Sequence, residues 1–336
     1  MPLSSIVGHH KVVDLLQRAV ASGRVPQSLL LAGPDGVGKH AIATALAQAV
    51  NCQASRTTGA GMDACGTCQT CVRISRRQHF DVVVLDRGDA ASIKIDALRE
   101  RVLDVVGYRP FEARRRVFII DPADALTEQA QDALLKTLEE PPAAVMLILV
   151  TAFPDTPHAT VLSRCRRLRC GPLSEGDVRR VLVGPCRIAA DRAADLARAS
   201  WGSVSRALSL DAEAVRDDRE RVMGLLAAVT AGRGIGPRIK AAGELAHYEP
   251  KRQRAGETLS SRLALLASLL RDAAAARVGD LTQIAHGDLV ADVRRMAADF
   301  DEHRLIAAWA VLDQAQSALD RNASPKIVAD WVALTI

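Results

Sequence analysis

Residues 28–40 read SLLLAGPDGVGKH, an apolar run followed by Gly33-x4-Gly38-Lys39 and then by helix-type spacing. This succession constrains the chain more than any other segment. A strand must run into a turn with unusual backbone freedom, and a helix must start at once. A Gly-rich turn in that context is a phosphate-binding loop, because backbone N–H groups approach phosphate and the helix N-terminus adds its dipole. Gly33, Gly36 and Gly38 supply the permissive backbone and Lys39 a point charge. His40 stands where a Ser or Thr hydroxyl would meet Mg²⁺, a hard cation that prefers oxygen. A second apolar run, VFIIDPAD (117–124), ends in Asp121, which can still contact a metal. Pro122 follows, and it has no group to orient or deprotonate water. The loop therefore reads as a structural relic or as a weak ATP or ADP site without turnover, and His40 and Pro122 oppose a working ATPase.

The same alternation continues through the first half of the chain. Ser28–Ala32, Asp81–Asp86, Arg116–Asp121, Met146–Thr151 and Arg166–Cys170 read as strands of a mainly parallel sheet covered on both faces. Between them, Ile95, Leu98, Val102 and Val105 keep helical spacing over 94–107. Thr127 is a good N-cap for a helix over 127–139, which Pro141 and Pro142 stop. Its Leu134, Leu135 and Leu138 make a buried stripe, with Glu139 and Glu140 solvated or at an interface. A small helical unit begins near Ser174 and runs to about Leu210. Strand signals then vanish. Stretches 213–230, 235–248, 252–278 and 302–321 read as helices, and Ile327, Trp331 and Leu334 fall at i, i+4 and i+7. The expected domains are 1–171, 172–212 and an all-helical 213–336.

Four of seven cysteines cluster as Cys52-x12-Cys65-x2-Cys68-x2-Cys71. Disulfides are rare in a reducing compartment, and four thiolates at this spacing suit one tetrahedral Zn²⁺. A closed shell of four leaves no open position, so the zinc is structural. Asp63 and His79 are wrongly spaced for ligands. Among its 336 residues the chain has no apolar run long enough for a bilayer and no signal-peptide pattern at its start, so a cytoplasmic address is expected and no membrane partner. A net charge of +5 permits contact with DNA through the Arg clusters at 114–116 and 164–169, but aromatics are only 3 %, so no stacking platform is evident.

The phosphate loop, the inserted cysteines, DALLKTLEEPP (132–142), the LILVTA strand and TVLSRCRRL (160–168) together strongly resemble bacterial clamp-loader subunits, AAA+ proteins of the DNA polymerase III holoenzyme. The resemblance is dense over about 1–210 and weaker beyond. It implies an AAA+ P-loop sheet with a zinc module, a helical lid and an all-α collar. It also implies partners: gamma/tau motor subunits, a delta subunit, the sliding clamp and primer-template DNA. In the motors the phosphate loop is intact and an Asp-Glu pair ends the second strand. His40 and Pro122 resemble instead the delta-prime branch, a stator that does not hydrolyse ATP. By the same resemblance Arg164 of Ser163-Arg164-Cys165 is an arginine finger acting in trans on a neighbour's ATP, Thr151 occupies a phosphate-sensing position, and Ser205 or Arg206 occupies the lid position that contacts nucleotide. The alternative is a gamma/tau-like hydrolysing motor.

Overall fold

The computed structural model describes residues 1–230, 234–247, 255–279, 284 and 286–336. They form two compact units, Met1–Ile188 with Trp201–Leu208, and Ala189–Ser200 with Ser209–Ile336.

The first unit is built on five parallel strands: β1 (Ser28–Ala32), β4 (Val82–Leu85), β5 (Arg116–Ile120), β6 (Val145–Thr151) and β7 (Arg166–Arg169). Their order across the sheet is β4-β5-β6-β1-β7. Ser28 pairs with Leu147 and Ala32 with Thr151, so β1 runs in register along β6, while β7 flanks its other side from Leu29↔Arg166 to Ala32↔Arg169. Every residue of β1 and β6 is buried. Successive side chains of a strand point to opposite faces, so a sheet covered twice needs continuous apolar runs. Leu29, Leu31, Val117, Ile119, Met146 and Ile148 pack on one face with α1 (His10–Ala21), α2 (Lys39–Asn51) and α3 (Gln69–Ser75). Leu30, Phe118, Ile120, Leu147 and Leu149 pack on the other, with α4 (Ile95–Leu98), α5 (Glu128–Glu139) and α6 (Ala159–Leu162).

The expected caps are present. Thr127 Oγ1 accepts the Ala130 N–H at the start of α5, and Ser174 Oγ accepts the Asp177 N–H at the start of α7 (Glu175–Val183). The helix expected over 94–107 is shorter. One α-helical turn at Ile95–Leu98 widens into a π-helical turn at Arg99–Leu103, which still buries Leu98 and Val102. The cysteine segment adds a two-stranded ribbon, β2 (Arg56–Thr57) and β3 (Met62–Asp63). Asp63 ties that ribbon to the chain start and to α1. Its carboxylate accepts from the N–H groups of Leu3 (2.9 Å), Ser4 (2.7 Å) and Ala64 (2.7 Å) and from Gln17 Nε2 (3.0 Å).

Among the described residues the second unit is all-helical: α8 (Ala190–Ala199), α10 (Ala212–Thr230), α11 (Ile235–Ala246), α12 (Ala255–Val278), α13 (Val290–Asp299), α14 (Glu302–Asp320) and α15 (Pro325–Thr335). The short α9 (Val204–Ser209) precedes α10. Leu225, Leu263, Leu266, Leu269 and Phe300 are among its fully buried side chains. Buried polar groups there are paired. Asp272 accepts from His286 Nδ1 at 2.8 Å, and Arg262 reaches Asp218 at 2.6 Å and the Leu245 carbonyl at 2.6 Å. The stripe Ile327, Trp331 and Leu334 is the exposed side of α15, at 68 %, 37 % and 44 %, while Val328, Ala329, Val332 and Ala333 face the core. The small residues allow close approach to α11, against which α15 packs. No helix among the described residues is long and apolar enough to cross a membrane.

Candidate functional site

The loop between β1 and α2 lies at the carboxyl ends of the strands, where open α/β sheets bind ligands. Gly33 must be glycine because a Cβ there would overlap the Cys170 carbonyl that follows β7. Gly36, at φ +73°, would with a Cβ collide with Ser203 and Ser205. The Val204 N–H donates to the Gly36 carbonyl at 2.8 Å, which fastens residues 203–205 to the loop. Above the loop opens a cavity of about 520 Å³ that gathers Gly36, Gly38, Lys39, His40, Asp121 and Ser205 against apolar Ile6, Val7, Leu173, Val181 and Pro185. Of the two candidates for the lid position, Ser205 lines this cavity and Arg206 does not. Arg206 stacks on Trp201, 4.7 Å from its ring centre.

Lys39 is buried, and its ammonium donates to the carbonyls of Gly33 (2.6 Å) and Pro34 (2.7 Å). Burial pushes it below its ordinary value, against the opposite pull of Asp35 and Asp121. His40 Nδ1 lies 2.8 Å from Asp121 Oδ2, and Arg77 Nη2 lies 3.1 Å from His40 Nε2. A guanidinium only donates, so Nε2 must accept and Nδ1 must carry the hydrogen that goes to Asp121. Both ring nitrogens and one carboxylate oxygen are thereby committed. The donor set does not fit Mg²⁺: there is no hydroxyl at 40, the acid next to it is engaged, and Pro122 adds nothing. The loop itself retains the backbone and the lysine that a polyphosphate needs.

Two expected site residues stand apart from this cavity. Thr151 is fully buried, and its hydroxyl donates to Asp124 Oδ1 at 2.6 Å. Asp124 also accepts from the Ala152 N–H at 3.1 Å, so the end of β6 is held by an acid three residues after Asp121. Arg164, just past α6, points to other partners: it donates to the Thr160 carbonyl (2.8 Å) and pairs with Glu139 at the end of α5. It does not line the cavity in its own chain. Arg77, Asp124 and the Glu139–Arg164 pairing carried no signal in the sequence. In the structure Arg77, at φ +57° just beyond α3, stands where glycine is usual.

Cys52, Cys65, Cys68 and Cys71 do come together, with all four sulfurs within 4.8 Å of one another. A tetrahedron with Zn–S about 2.3 Å sets its corners about 3.8 Å apart, and Cys52 and Cys68 are separated by 3.9 Å. Burial works against the Cys65 thiolate, but the N–H groups of Thr67 and Cys68 aimed at its sulfur outweigh it and bring the thiol down to about 6. Burial pushes the neighbouring Cys71 thiol up. A set of four sulfurs with inward N–H donors fits a soft-to-borderline cation.

Fold and site together define a P-loop protein of the parallel-sheet class whose metal position is closed by protein groups. A family model described as DNA polymerase III, delta subunit, matches residues 8–174. DNA polymerase III subunit tau of Salmonella typhimurium and of Escherichia coli is 36 % identical over 217 residues, which is 63 % of this chain and 33 % of each relative. The gamma subunit of Buchnera aphidicola is 35 % identical over 170 residues, 51 % of this chain and 45 % of its own. The chain thus spans between about a third and a half of the length of these curated relatives. Among solved structures, a gamma subunit-related protein from Thermotoga maritima superposes with TM-score 0.42 at 17 % identity, covering 96 % of this chain and 97 % of that one. The Bacillus subtilis clamp loader delta protein gives 0.36 at 12 % identity, covering 95 % and 97 %. Residues 8–174, which carry the sheet, the loop and the cysteines, thus match a DNA polymerase III delta-subunit family model and are similar in sequence to the tau and gamma subunits.

Proposed function

We propose that this chain is a delta-prime-type stator of a bacterial clamp loader, one that does not hydrolyse ATP itself and lends Arg164 to the ATP site of an adjoining gamma/tau subunit. The observation that carries the reading is the closed chain Arg77–His40–Asp121 at the metal position of its own loop, together with an Arg164 that faces away from that loop. Phosphoryl transfer concentrates negative charge on oxygens, and a guanidinium cannot lose its proton and matches phosphate with a planar fork. Its partners are then the gamma/tau motors and a delta subunit, acting in the cytoplasm on the sliding clamp and primer-template DNA, with one structural Zn²⁺ at Cys52, Cys65, Cys68 and Cys71.

The 36 % identity to tau favours one alternative, an ATP-hydrolysing motor. His40 and Pro122 speak against it. A reconstituted loader tests both. With Arg164→Ala, clamp loading and ATPase should fall by about tenfold or more, the ceiling for such fingers being about 10³–10⁵. Unchanged loading at saturating ATP overturns the stator reading, and sustained phosphate release by the chain alone installs the motor.

A further inference from the structure

The metal position points to a ligand of its own. We infer that the cavity above the phosphate loop takes a nucleoside polyphosphate without its divalent cation. In a metal-dependent P-loop the cation bridges two phosphates and is held by a hydroxyl and an acid. Here an imidazole fills the hydroxyl position and its Nδ1–H occupies Asp121 at 2.8 Å. Arg77 stands one ring behind, 3.1 Å from Nε2, and also pairs with Asp86 at 3.2 Å. A second cavity of about 350 Å³ lies beside it, lined by His40, Thr44, Ser75 and Arg77. The left-handed backbone of Arg77 disfavours any residue but glycine by about 1–2 kcal/mol. The arginine there puts fixed positive charge close behind the place a cation would take. Lys39 lines the cavity and would turn its ammonium from the Gly33 and Pro34 carbonyls to a phosphate, and the apolar wall of Ile6, Val7, Val181 and Pro185 suits a base. Such a site prefers the free nucleotide over its magnesium complex, because the complexed cation finds no hydroxyl at position 40 and an Asp121 already engaged by His40, and meets Lys39 and Arg77.

The inference does not depend on the role of Arg164. Titration calorimetry of the purified chain with ADP and with ATP, once in EDTA and once in excess Mg²⁺, tests it. Binding is expected in EDTA and about tenfold weaker with Mg²⁺. Arg77→Ala should weaken the EDTA binding several-fold, and Lys39→Ala should abolish it. His40→Ser, which restores a hydroxyl and frees Asp121, should reverse the metal effect, with circular dichroism reporting that the variant is folded. Binding that tightens with Mg²⁺ in the unmodified chain, or no heat in either buffer, overturns the proposal. Both results are distinct from any outcome of the Arg164→Ala loading assay.

Discussion

Asp81 is the residue on which one corner of the sheet unit hangs, and replacing it by Asn is a sharp test of that. The carboxylate, fully buried just before β4, accepts from the N–H groups of Phe111 (2.8 Å), Glu112 (2.8 Å) and Ala113 (3.0 Å) and from Arg116 Nη2 (3.1 Å). Asn keeps the shape but offers one oxygen in place of two and turns a donor toward the remaining donors. Arg116, itself nearly buried, loses its counter-charge. Breaking one side of a buried pair costs about 3–5 kcal/mol. A loss near 4 kcal/mol corresponds to about 10³ in the local opening equilibrium. Hydrogen exchange at the amides of Phe111, Glu112 and Ala113 should accelerate by about that factor, up to the limit set by their protection in the parent. Acceleration under about tenfold would refute the reasoning. The pH dependence has a definite sign. Burial acts to raise the Asp81 carboxyl, but the three N–H groups and Arg116 outweigh it and hold it below the ordinary value. A carboxyl depressed in the folded state stabilises fully above its unfolded value of about 3.9 and loses that contribution as pH falls through the folded value. Protection of residues 111–113 should therefore be flat near neutrality and collapse in acid, and Asp81→Asn should remove that collapse.

The cysteine centre should hold one zinc per freshly purified chain, measurable by elemental analysis; stripping it, or Cys68→Ser, should lower the melting temperature by about 5 °C or more because metal binding and local folding are linked. Thr127→Ala removes the cap of α5 and should cost about 1 kcal/mol in denaturant unfolding, with the sheet unit otherwise intact. Gly36→Ala forces a Cβ into Ser203 and Ser205 at a positive φ, so it should loosen residues 203–205, seen as faster exchange of the Val204 amide that now donates to the Gly36 carbonyl.

The sheet was legible almost to the residue, and the reason is physical. A strand buried on both faces must be apolar throughout, so SLLLA, VFII and VMLILVT could hardly be anything else. Helices were legible where caps or prolines marked them, as at Thr127 and Pro141. They were less so where the apolar face is made of small residues. In α13 the buried positions reduce to Val293 and Met296 among alanines and charges, an apolar face too narrow to have been picked out in the sequence. In α15 the large residues at helical spacing drew attention to the wrong side, because Val and Ala make the close contact with α11. The cysteines announced themselves through spacing alone. Arg77 and Asp124 did not, because each matters through a partner distant in sequence: Arg77 through His40, and Asp124 through Thr151.

The two cationic arrangements in the sheet unit differ in how readily they can be given up. Arg164 is one-third exposed, and its partner Glu139 is half exposed. A pair in that setting is worth about 0–1 kcal/mol, so the guanidinium can leave the carboxylate for a more highly charged anion at little cost. The chain through His40 is no more buried, His40 being about as exposed as Arg164, but it is knit at both ring nitrogens, with Asp121 at one end and the Arg77–Asp86 pair at the other. Admitting a metal would mean stripping the donor from Asp121 and leaving Arg77 to face a second cation. The difference lies in how the groups are linked: the His40 ring joins Asp121 to Arg77, so that losing it strands both, whereas Arg164 leaves behind one half-exposed carboxylate. Exchanging Glu139 for Ala should on this account change stability by less than about 1 kcal/mol, whereas His40→Ala should leave Asp121 and Arg77 each without a partner that they hold at 2.8 and 3.1 Å. If the two substitutions cost the same in denaturant unfolding, the asymmetry on which the proposed division of labour rests is absent.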